Sequence, residues 1–414
     1  MRFTVVPLQS EASAVSEVLG VDGPFSFPEK LFQQLWARRE FDPRDTCTAD
    51  GRRLKIIHPG RWNHLGGPDF RDARLQIEGE SLTGDIELHL RAQDWASHAH
   101  AEDPAYANVI LHVVLFPPVA AYTYGMGGRP IPIFALLPRL YYDLEEYASD
   151  AAVATLANRP SARLIEELGR LSVAELHAQF RRRAEARWAQ KVRFASLRIA
   201  KLGWVGACHQ MALEILGYRF NRASMLRLAS RYPFVTWSLG KIDLEAALAS
   251  ERDLWSLQGV RPANHPGIRL RQYAAWTAGV PDWPERLRSA QALEPADRAG
   301  EAGVDVDDTR VIRRDWDFPS RRGWWADDLC GGVLGGSRLD NLICDGFLPL
   351  VAAGQSEWAG TCALIWRHWY PGDLPALIRP GLRDLGLIDG RRMPVSHGLT
   401  QGLLGWLLEE EQKR

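Results

Sequence analysis

The sequence predicts an α+β protein in which an N-terminal mixed sheet is followed by a larger, mainly helical region. Residues 54–116 contain three runs of alternating or continuous apolar residues, which are typical of strands. From residue 141 onward the apolar spacing changes to the period of helices. The length of 414 residues also favours more than one domain.

The first domain is expected over residues 25–140, after a loosely held leader at 1–24. A helix is predicted to open at Pro28-Glu29-Lys30, with Leu31, Leu35 and Trp36 on one apolar face. Strands are predicted at 54–57, 72–77, 86–90, 109–116 and 131–136. This pattern predicts one helix packed on a mixed sheet of about five strands.

The second region is expected to form a helical domain over residues 141–293. Its predicted helices cover 141–156, 172–202, 204–216, 221–230, 241–257, 267–278 and 283–293. Residues 294–328 are rich in Asp, Gly, Arg and Pro, which predicts a linker or a surface excursion. Residues 329–414 are predicted to be helical and to pack on the helical domain.

Composition and charge exclude several classes of protein. The net charge is −1, so no global basic field draws the chain to nucleic acid, and any such binding needs a local patch. The five Cys form no CxxC pair, which favours reduced thiols. The N-terminus lacks a signal-peptide core, and no apolar run reaches membrane-spanning length. We therefore expect a cytoplasmic protein without membrane contact; its oligomeric state is left open.

The central strand at 86–90 carries an unusual row of polar side chains. Because side chains alternate along a strand, the polar residues fall on the face opposite Ile86 and Leu88. They are Asp85, Glu87, His89 and Arg91. Such a row is more polar than a plain solvated strand usually is.

A hard-metal site is predicted where this row meets Asp69. The turn at 78–80 suits a hairpin that brings Asp69 close to Glu87. Two carboxylates suit Mg²⁺ or Mn²⁺. His89 would then orient or deprotonate water, and Arg91 would stabilise charge on a phosphoryl oxygen. Asp72 and Asp85 are alternative ligands, and the opposing interpretation is a turn Asp beside a solvated sheet face.

Further His residues lie around this stretch. His98 and His100, followed by Asp103, suit a Zn²⁺ or Mn²⁺ site, although loop histidines more often only form hydrogen bonds. His58 and Asn63 are candidates to line the same pocket, and His58-Pro59-Gly60 is equally well explained as a turn. His112, inside an apolar strand, is expected to be a core histidine. Phosphate-binding glycine motifs and a GxSxG elbow are both lacking, so no nucleotide cofactor is expected.

Two basic segments of the helical region have two interpretations each. One is a local patch for nucleic-acid phosphates, or else a solvated helix face, formed by Arg181, Arg182, Arg183, Arg187 and Lys191. The other is RPANHPGIRLRQ. Here Arg261, Asn264 and Arg269 either bind an anion at a helix N-terminus, or Asn264 caps or turns the chain while the Arg residues tie the two domains together.

The pair Pro68-Asp69 and Glu87-Leu88-His89 resembles the PD-(D/E)xK nuclease superfamily. The resemblance implies a restriction-endonuclease-like core in which the two acids hold a metal. His89 departs from the pattern, because that superfamily has Lys at this position. Arg91, one strand repeat further on, is the candidate for the missing cation.

A closer resemblance covers nearly the whole chain. Its strings are IIHPG, N-x-x-x-GPDF-x-x-A, GDIELH, D-W-x-x-H-x-H, D-x-A-Y and VILHVV, followed by RPANHPGIRL at 261–270 and QGLLGWLL at 401–408. They are similar to an uncharacterised bacterial family, domain-of-unknown-function family 2851. This resemblance implies a family but no activity.

Three functions remain open at this point. The leading hypothesis is a Mg²⁺- or Mn²⁺-dependent nuclease or phosphodiesterase. The second is a non-catalytic binding or scaffold protein whose nuclease-like core has lost its Lys. The third is a Zn²⁺-dependent hydrolase built on His98, His100 and Asp103. Whether the chain is an enzyme is therefore not decided by the sequence.

Overall fold

The computed structural model describes residues 29–156, 166–258, 260–289, 293, 308–390 and 393–412. The chain divides into two compact units, Met1–Ala148 and Ser149–Arg414. The predicted boundary at residue 140 thus precedes the observed division. The predicted leader at 1–24 lies outside the described residues.

The first unit contains a mixed sheet, which confirms the predicted fold class. Its elements are α1 (Glu29–Arg38), β1 (Leu54–His58), β2 (Arg61–Trp62), β3 (Phe70–Ile77), β4 (Glu80–His89), α2 (Asp94–Ser97), β5 (Val109–Val114), β6 (Tyr122–Tyr124) and β7 (Pro130–Ala135). The strand order is β1-β3-β4-β5-β7-β6, and β2 pairs with β3. The sheet has seven strands, more than predicted, because β2 and β6 are too short to show an alternating pattern.

The hairpin between β3 and β4 follows from its turn residues. Glu78 and Gly79 have φ angles of 50° and 87°, and Ile77 pairs with Glu80. Positive φ at both central residues is the two-residue turn that matches the twist of antiparallel strands. The hairpin sets β4 antiparallel to β3. The other edge of β4 pairs in parallel with β5.

The strand β4 is buried on both faces near its end. Ile86 and Leu88 are buried, as the alternation predicts. Glu87 and His89, on the opposite face, are buried as well. The connection between β4 and β5 contributes Trp95, which is buried and whose ring centroid lies 5.2 Å from that of His112. This second face is therefore a covered polar layer.

The second unit is helical, as predicted. The helices from the division onward are α3 (Leu144–Leu156, within which the division falls), α4 (Val173–Leu216), α5 (Tyr218–Arg231), α6 (Phe234–Ser238), α7 (Leu244–Ser250), α8 (Pro266–Gly279), α9 (Trp283–Arg288), α10 (Thr309–Asp315), α11 (Phe318–Trp324), α12 (Gly336–Asn341), α13 (Leu348–Gly354), α14 (Ala359–His368), α15 (Ile378–Asp384) and α16 (His397–Gln412). Its core holds fully buried indoles, among them Trp237, Trp276, Trp283, Trp366 and Trp369.

The long helix α4 begins at a capping box. Ser172 Oγ accepts a hydrogen bond from the Glu175 backbone N–H, and Glu175 Oε2 accepts one from the Ser172 N–H at 2.8 Å. Gly203, with a φ of 69°, interrupts the helical backbone. The two predicted helices at 172–202 and 204–216 are therefore the two arms of α4.

The end of the predicted surface excursion is part of the core of the second unit. Ile312, Phe318 and Trp325 are buried. Arg313 donates from its guanidinium to the carbonyls of His368 and Trp369 at 2.8 and 3.0 Å. The polar composition of this segment suggested that it is exposed to solvent. The Arg313 side chain instead satisfies backbone carbonyls inside the unit. Residues 294–307 lie outside the described residues.

Every helix among the described residues is too short or too polar to span a bilayer.

Close packing of α16 on α4 generates a first prediction. A Cβ added at Gly402 would lie 2.7 Å from the Phe180 Cα, which is backbone and cannot move aside easily. We expect Gly402→Ala to lower the free energy of unfolding by about 1–3 kcal/mol because of this overpacking. Urea unfolding followed by tryptophan fluorescence measures the change.

The matched control is Gly360→Ala in α14, where an added Cβ meets nothing within 4 Å. This variant is expected to be neutral or stabilising by up to about 1 kcal/mol. Equal unfolding midpoints for the two variants would contradict the proposed contact between the helices.

Candidate metal centre

The register of β4 and β5 brings a carboxylate beside an imidazole. Glu87 is in register with His112 across the parallel pair. Neighbouring residues in register point to the same side of a sheet, so Glu87 and His112 share the covered face. His89, two residues after Glu87, continues the same row. The connection at 94–106 then places His98 and His100 over this row.

The cluster has the spacing of a metal site. The ligand atoms of His89, His98 and His100 all lie within 4.8 Å of one another. His89 Nε2 is 3.1 Å from His98 Nδ1. Glu87 Oε1 is 3.6 Å from His89 Nε2 and 3.4 Å from His100 Nε2. Ligands at 2.0–2.1 Å from a tetrahedral Zn²⁺ are about 3.3 Å apart, so these separations fit one ion.

His100 carries an unsatisfied nitrogen at the centre. Its Nε2 is buried and has no hydrogen-bond partner among the described residues. The ring is held by stacking on Tyr106, with centroids 3.8 Å apart, and by an edge contact with Trp95. A buried polar atom without a partner costs free energy, and a cation bound there would remove that cost.

Asp69 contacts Glu87 on the side of the carboxyl group that faces away from the imidazoles. Its backbone N–H donates to Glu87 Oε2 at 3.0 Å. Its carboxylate accepts from Gln33 Nε2 at 2.7 Å and from the Leu88 N–H at 3.1 Å. The two acids are therefore neighbours, but Glu87 Oε1 lies toward the imidazoles while Oε2 lies toward Asp69. Glu87 connects the two halves of the polar layer.

Burial shifts the acids and the imidazoles in opposite directions. It raises the pKa of Glu87 to about 9, with the Asp69 charge adding to the shift. It raises the pKa of Asp69 to about 6. Burial also lowers the pKa of His89 and of His112 to about 3, and that of His100 below its ordinary value. Near neutral pH the rings of His89, His100 and His112 are thus uncharged, and the neutral imidazole is the form that binds metals.

Three residues predicted for the site make contacts with other groups, although Asp103 also lies close enough to His100 to act on it electrostatically. Arg91 follows the end of β4, is exposed, and lies over the Phe116 ring at 5.6 Å. The Asp85 carboxylate accepts from the Asp72 N–H at 3.2 Å. Asp103 caps a short turn by accepting from the Ala105 N–H at 2.8 Å. Their described contacts do not join them to Glu87 or His89.

His58 and Asn63 have local structural contacts. His58 Nδ1 accepts a hydrogen bond from the Gly60 N–H at 3.1 Å. Asn63 Nδ2 donates to the carbonyls of Gly66 and Pro68 at 3.2 and 2.9 Å. These bonds shape the two turns that precede β3.

In the second unit, the basic helix segment is mostly paired internally. Arg183 donates to Glu409 at 2.6 Å, Arg187 donates to Gln401 at 2.6 Å, and Lys191 bonds to Asp345 at 2.8 Å. Arg181 and Arg182 are exposed. Arg183, Arg187 and Lys191 thus bond to other parts of the second unit, and Arg182 donates to Gln179 Oε1 at 3.1 Å.

The RPANHPG segment also has internal contacts. Arg269 is buried and donates to Asn264 Oδ1 at 2.6 Å and to Gln272 Oε1 at 2.9 Å. Arg261 is exposed. These contacts of Arg269 lie within the second unit.

Several members of the centre were not predicted as such. His112 was expected to be a core histidine, and it is fully buried, but it bonds to His89 at 3.0 Å. Tyr106 and Trp95 pack on the imidazoles. Gln33 reaches Asp69 from α1. The strings that hold Trp95, His100 and Tyr106 were noticed, but the sequence does not show which ring contacts which.

Comparison with known proteins identifies a family. The family described as Protein of unknown function (DUF2851) matches residues 29–249, more than half of the 414 residues. The match spans every residue of the candidate metal centre. No curated protein and no solved structure matches the chain.

The raised pKa of Glu87 generates a pH prediction for the metal-free protein. The folded chain keeps this proton up to about pH 9, whereas the unfolded chain releases it near 4.5. Stability therefore falls as the pH rises through this window, by about 1.4 kcal/mol per pH unit for one proton. Glu87→Gln removes this dependence.

We expect the stability of metal-free Glu87→Gln, relative to wild type, to be greater at about pH 8 than at about pH 5. Chemical denaturation in the presence of a chelator measures both proteins at both pH values. A difference between the two proteins that stays constant with pH would show that Glu87 titrates normally.

Proposed function

Since the chain belongs to the DUF2851 family of proteins of unknown function, we propose its activity from the centre itself: a divalent-metal-dependent hydrolase that acts on phosphodiesters. The observation that carries this proposal is the cluster of His89, His98 and His100, with ligand atoms within 4.8 Å and Glu87 Oε1 beside them. Clusters of this kind are typical of catalytic metal sites.

The ligand set supports a transition metal. Imidazole nitrogens suit Zn²⁺ and Mn²⁺, whereas Mg²⁺ prefers carboxylate oxygens and water. The earlier hypothesis of an ion shared by Asp69 and Glu87 is thereby modified. We infer that the imidazoles and Glu87 hold the ion, while Asp69 positions Glu87 through its backbone N–H.

The centre has the parts that hydrolysis requires. The bound ion would supply Lewis-acid activation of a water molecule. Glu87 Oε1 is placed beside the imidazole nitrogens, where it can either complete the coordination or accept the proton of that water. His98 is exposed while His89 and His100 are buried, so the centre opens to solvent on the side of His98. A substrate can approach from that side.

The phosphodiester class is supported by the arrangement of acids on the hairpin. Asp69 begins β3 and Glu87-Leu88-His89 ends β4, the order that resembles the PD-(D/E)xK nucleases. The basic residues Arg183, Arg187 and Lys191 of the other unit are paired internally and add no support for a long nucleic-acid ligand. Small phosphodiesters therefore belong among the test substrates beside DNA and RNA.

Metal binding tests the ligand assignment. We expect the metal-free wild type to bind one Zn²⁺ or Mn²⁺ per chain, and Mg²⁺ more weakly. His98→Ala is expected to weaken Zn²⁺ binding by at least about tenfold, because it removes an exposed ligand without opening the core. Isothermal titration calorimetry measures the dissociation constants.

The matched control is His64→Ala, which removes another exposed imidazole of the same unit that lies outside the cluster. Its Zn²⁺ affinity should equal that of the wild type. Equal losses in both variants, or no saturable binding by the wild type, would overturn the assignment of the centre.

Glu87→Gln tests the catalytic role. We expect this variant to lose about 10²–10⁴-fold in the hydrolysis of bis(p-nitrophenyl) phosphate, because the amide cannot accept a proton. Turnover and Zn²⁺ affinity are measured on the same preparation. Retained affinity with lost turnover assigns Glu87 as the base, and lost affinity assigns it as a ligand.

Single-stranded DNA, duplex DNA and RNA complete the substrate panel. A metal-loaded wild type that cleaves none of these diesters would overturn the phosphodiesterase proposal. The scaffold interpretation would then be preferred.

A further inference from the structure

A chain of hydrogen bonds runs from the metal centre into the interior of the first unit. His89 Nδ1 lies 3.0 Å from His112 Nε2. His112 Nδ1 lies 2.8 Å from Thr123 Oγ1. These contacts use the nitrogen of His89 that faces away from the cluster, since Nε2 is the atom near His98 and Glu87. These hydrogen bonds therefore connect His89 Nδ1, the ring nitrogen that faces away from the cluster, to Thr123 in strand β6.

Burial isolates this chain from solvent. His112 is fully buried, and His89 and Thr123 are also buried. Trp95 covers His112 with a ring-to-ring distance of 5.2 Å, and its indole N–H is fixed by the Tyr124 carbonyl at 3.1 Å. Water cannot replace a lost partner easily in such a place, so each ring depends on its protein partner.

The chain allows only two arrangements of protons. A neutral imidazole has one N–H and one lone pair, so a donor at one end forces an acceptor at the other. In the first arrangement His89 Nδ1 donates to His112 Nε2, and His112 Nδ1 donates to Thr123. In the second, both bonds are reversed and His89 Nε2 carries the proton. Only the first leaves the lone pair of His89 Nε2 available for a metal.

We propose that Thr123 and His112 are positioning residues that fix His89 as the Nδ1–H tautomer and so present its Nε2 to the metal. The inference rests on the proposed metal-dependent function. Partners of this kind orient the first ligands of metal sites, and their loss typically costs 10–100-fold in metal affinity. In this arrangement the Thr123 hydroxyl accepts the last hydrogen bond, and it thereby satisfies the buried His112 Nδ1–H that the Nδ1–H tautomer of His89 requires.

Thr123→Val and Thr123→Ser form a matched pair of variants. Valine has the shape of threonine but accepts no hydrogen bond, so an Nδ1–H of His112 would lack a partner. The proton of His112 would then move to Nε2, and the bond to His89 would reverse. Serine retains the hydroxyl. We expect Thr123→Val to weaken Zn²⁺ binding by about 10–100-fold and Thr123→Ser to remain near wild type. Competition with a chromophoric chelator measures the affinities, and thermal melts verify that both variants fold.

The position of the proton on each imidazole ring is a second readout, and a general loss of packing would not shift it from one nitrogen to the other. Nitrogen-15 NMR of the metal-free protein distinguishes a protonated ring nitrogen from a bare one. We expect protonated Nδ1 in His89 and His112 of the wild type and of Thr123→Ser, and protonated Nε2 in both rings of Thr123→Val.

The two readouts separate the inference from the proposed function. A wild type that binds no Zn²⁺ would overturn the proposed function and the presentation of Nε2 to a metal, while the tautomer comparison would still decide whether Thr123 directs the chain. Unchanged tautomers in a folded Thr123→Val protein, or equal Zn²⁺ affinities for the valine and serine variants, would overturn the inference.

Discussion

The parallel pairing of β4 with β5 is the constraint on which the first unit depends. It sets Glu87 level with His112 on a face that the connection at 94–106 covers. A carboxyl group and imidazole rings are thereby withdrawn from water, which is costly unless each polar atom finds a partner. The surrounding contacts supply these partners: the Asp69 N–H for Glu87, His112 for His89, and Thr123 for His112. His100 Nε2 lacks one among the described residues.

Burying these polar groups without a metal has a free-energy cost, and a bound cation would reduce that cost. Without a metal, Glu87 is held in its neutral form at neutral pH, since its pKa is raised to about 9. His89 and His112 are neutral because burial lowers the pKa of each ring to about 3. A divalent ion would favour ionised Glu87 and use the lone pairs of the rings. Strongly shifted acids and bases in one buried cluster are more typical of functional sites than of cores selected for stability.

The sequence was sufficient for the local features of this region and insufficient for its contacts. The hairpin follows from Glu78-Gly79, and the row of Glu87 and His89 follows from strand alternation, because both depend on neighbouring residues. Arg91 was placed in that row, but β4 ends at His89 and the alternation ends with it. The position of His98 and His100 over the strand depends on how a long connection folds back, which no local pattern encodes. The helices at 309–324 were missed because arginines that bond to buried carbonyls have the same composition as exposed ones.

The two metal hypotheses raised by the sequence were separate because they used different segments of the chain. Asp69 and Glu87 belong to the hairpin, while His98 and His100 belong to the connection after it. In the folded unit both meet at one residue: Glu87 bonds to the Asp69 backbone through Oε2 and lies beside the imidazoles through Oε1. An acid shared in this way couples the hairpin to the connection. Because the imidazoles outnumber the carboxylate around Oε1, the proposed ion would be one that prefers nitrogen ligands, and Asp69 would act by holding Glu87 in place.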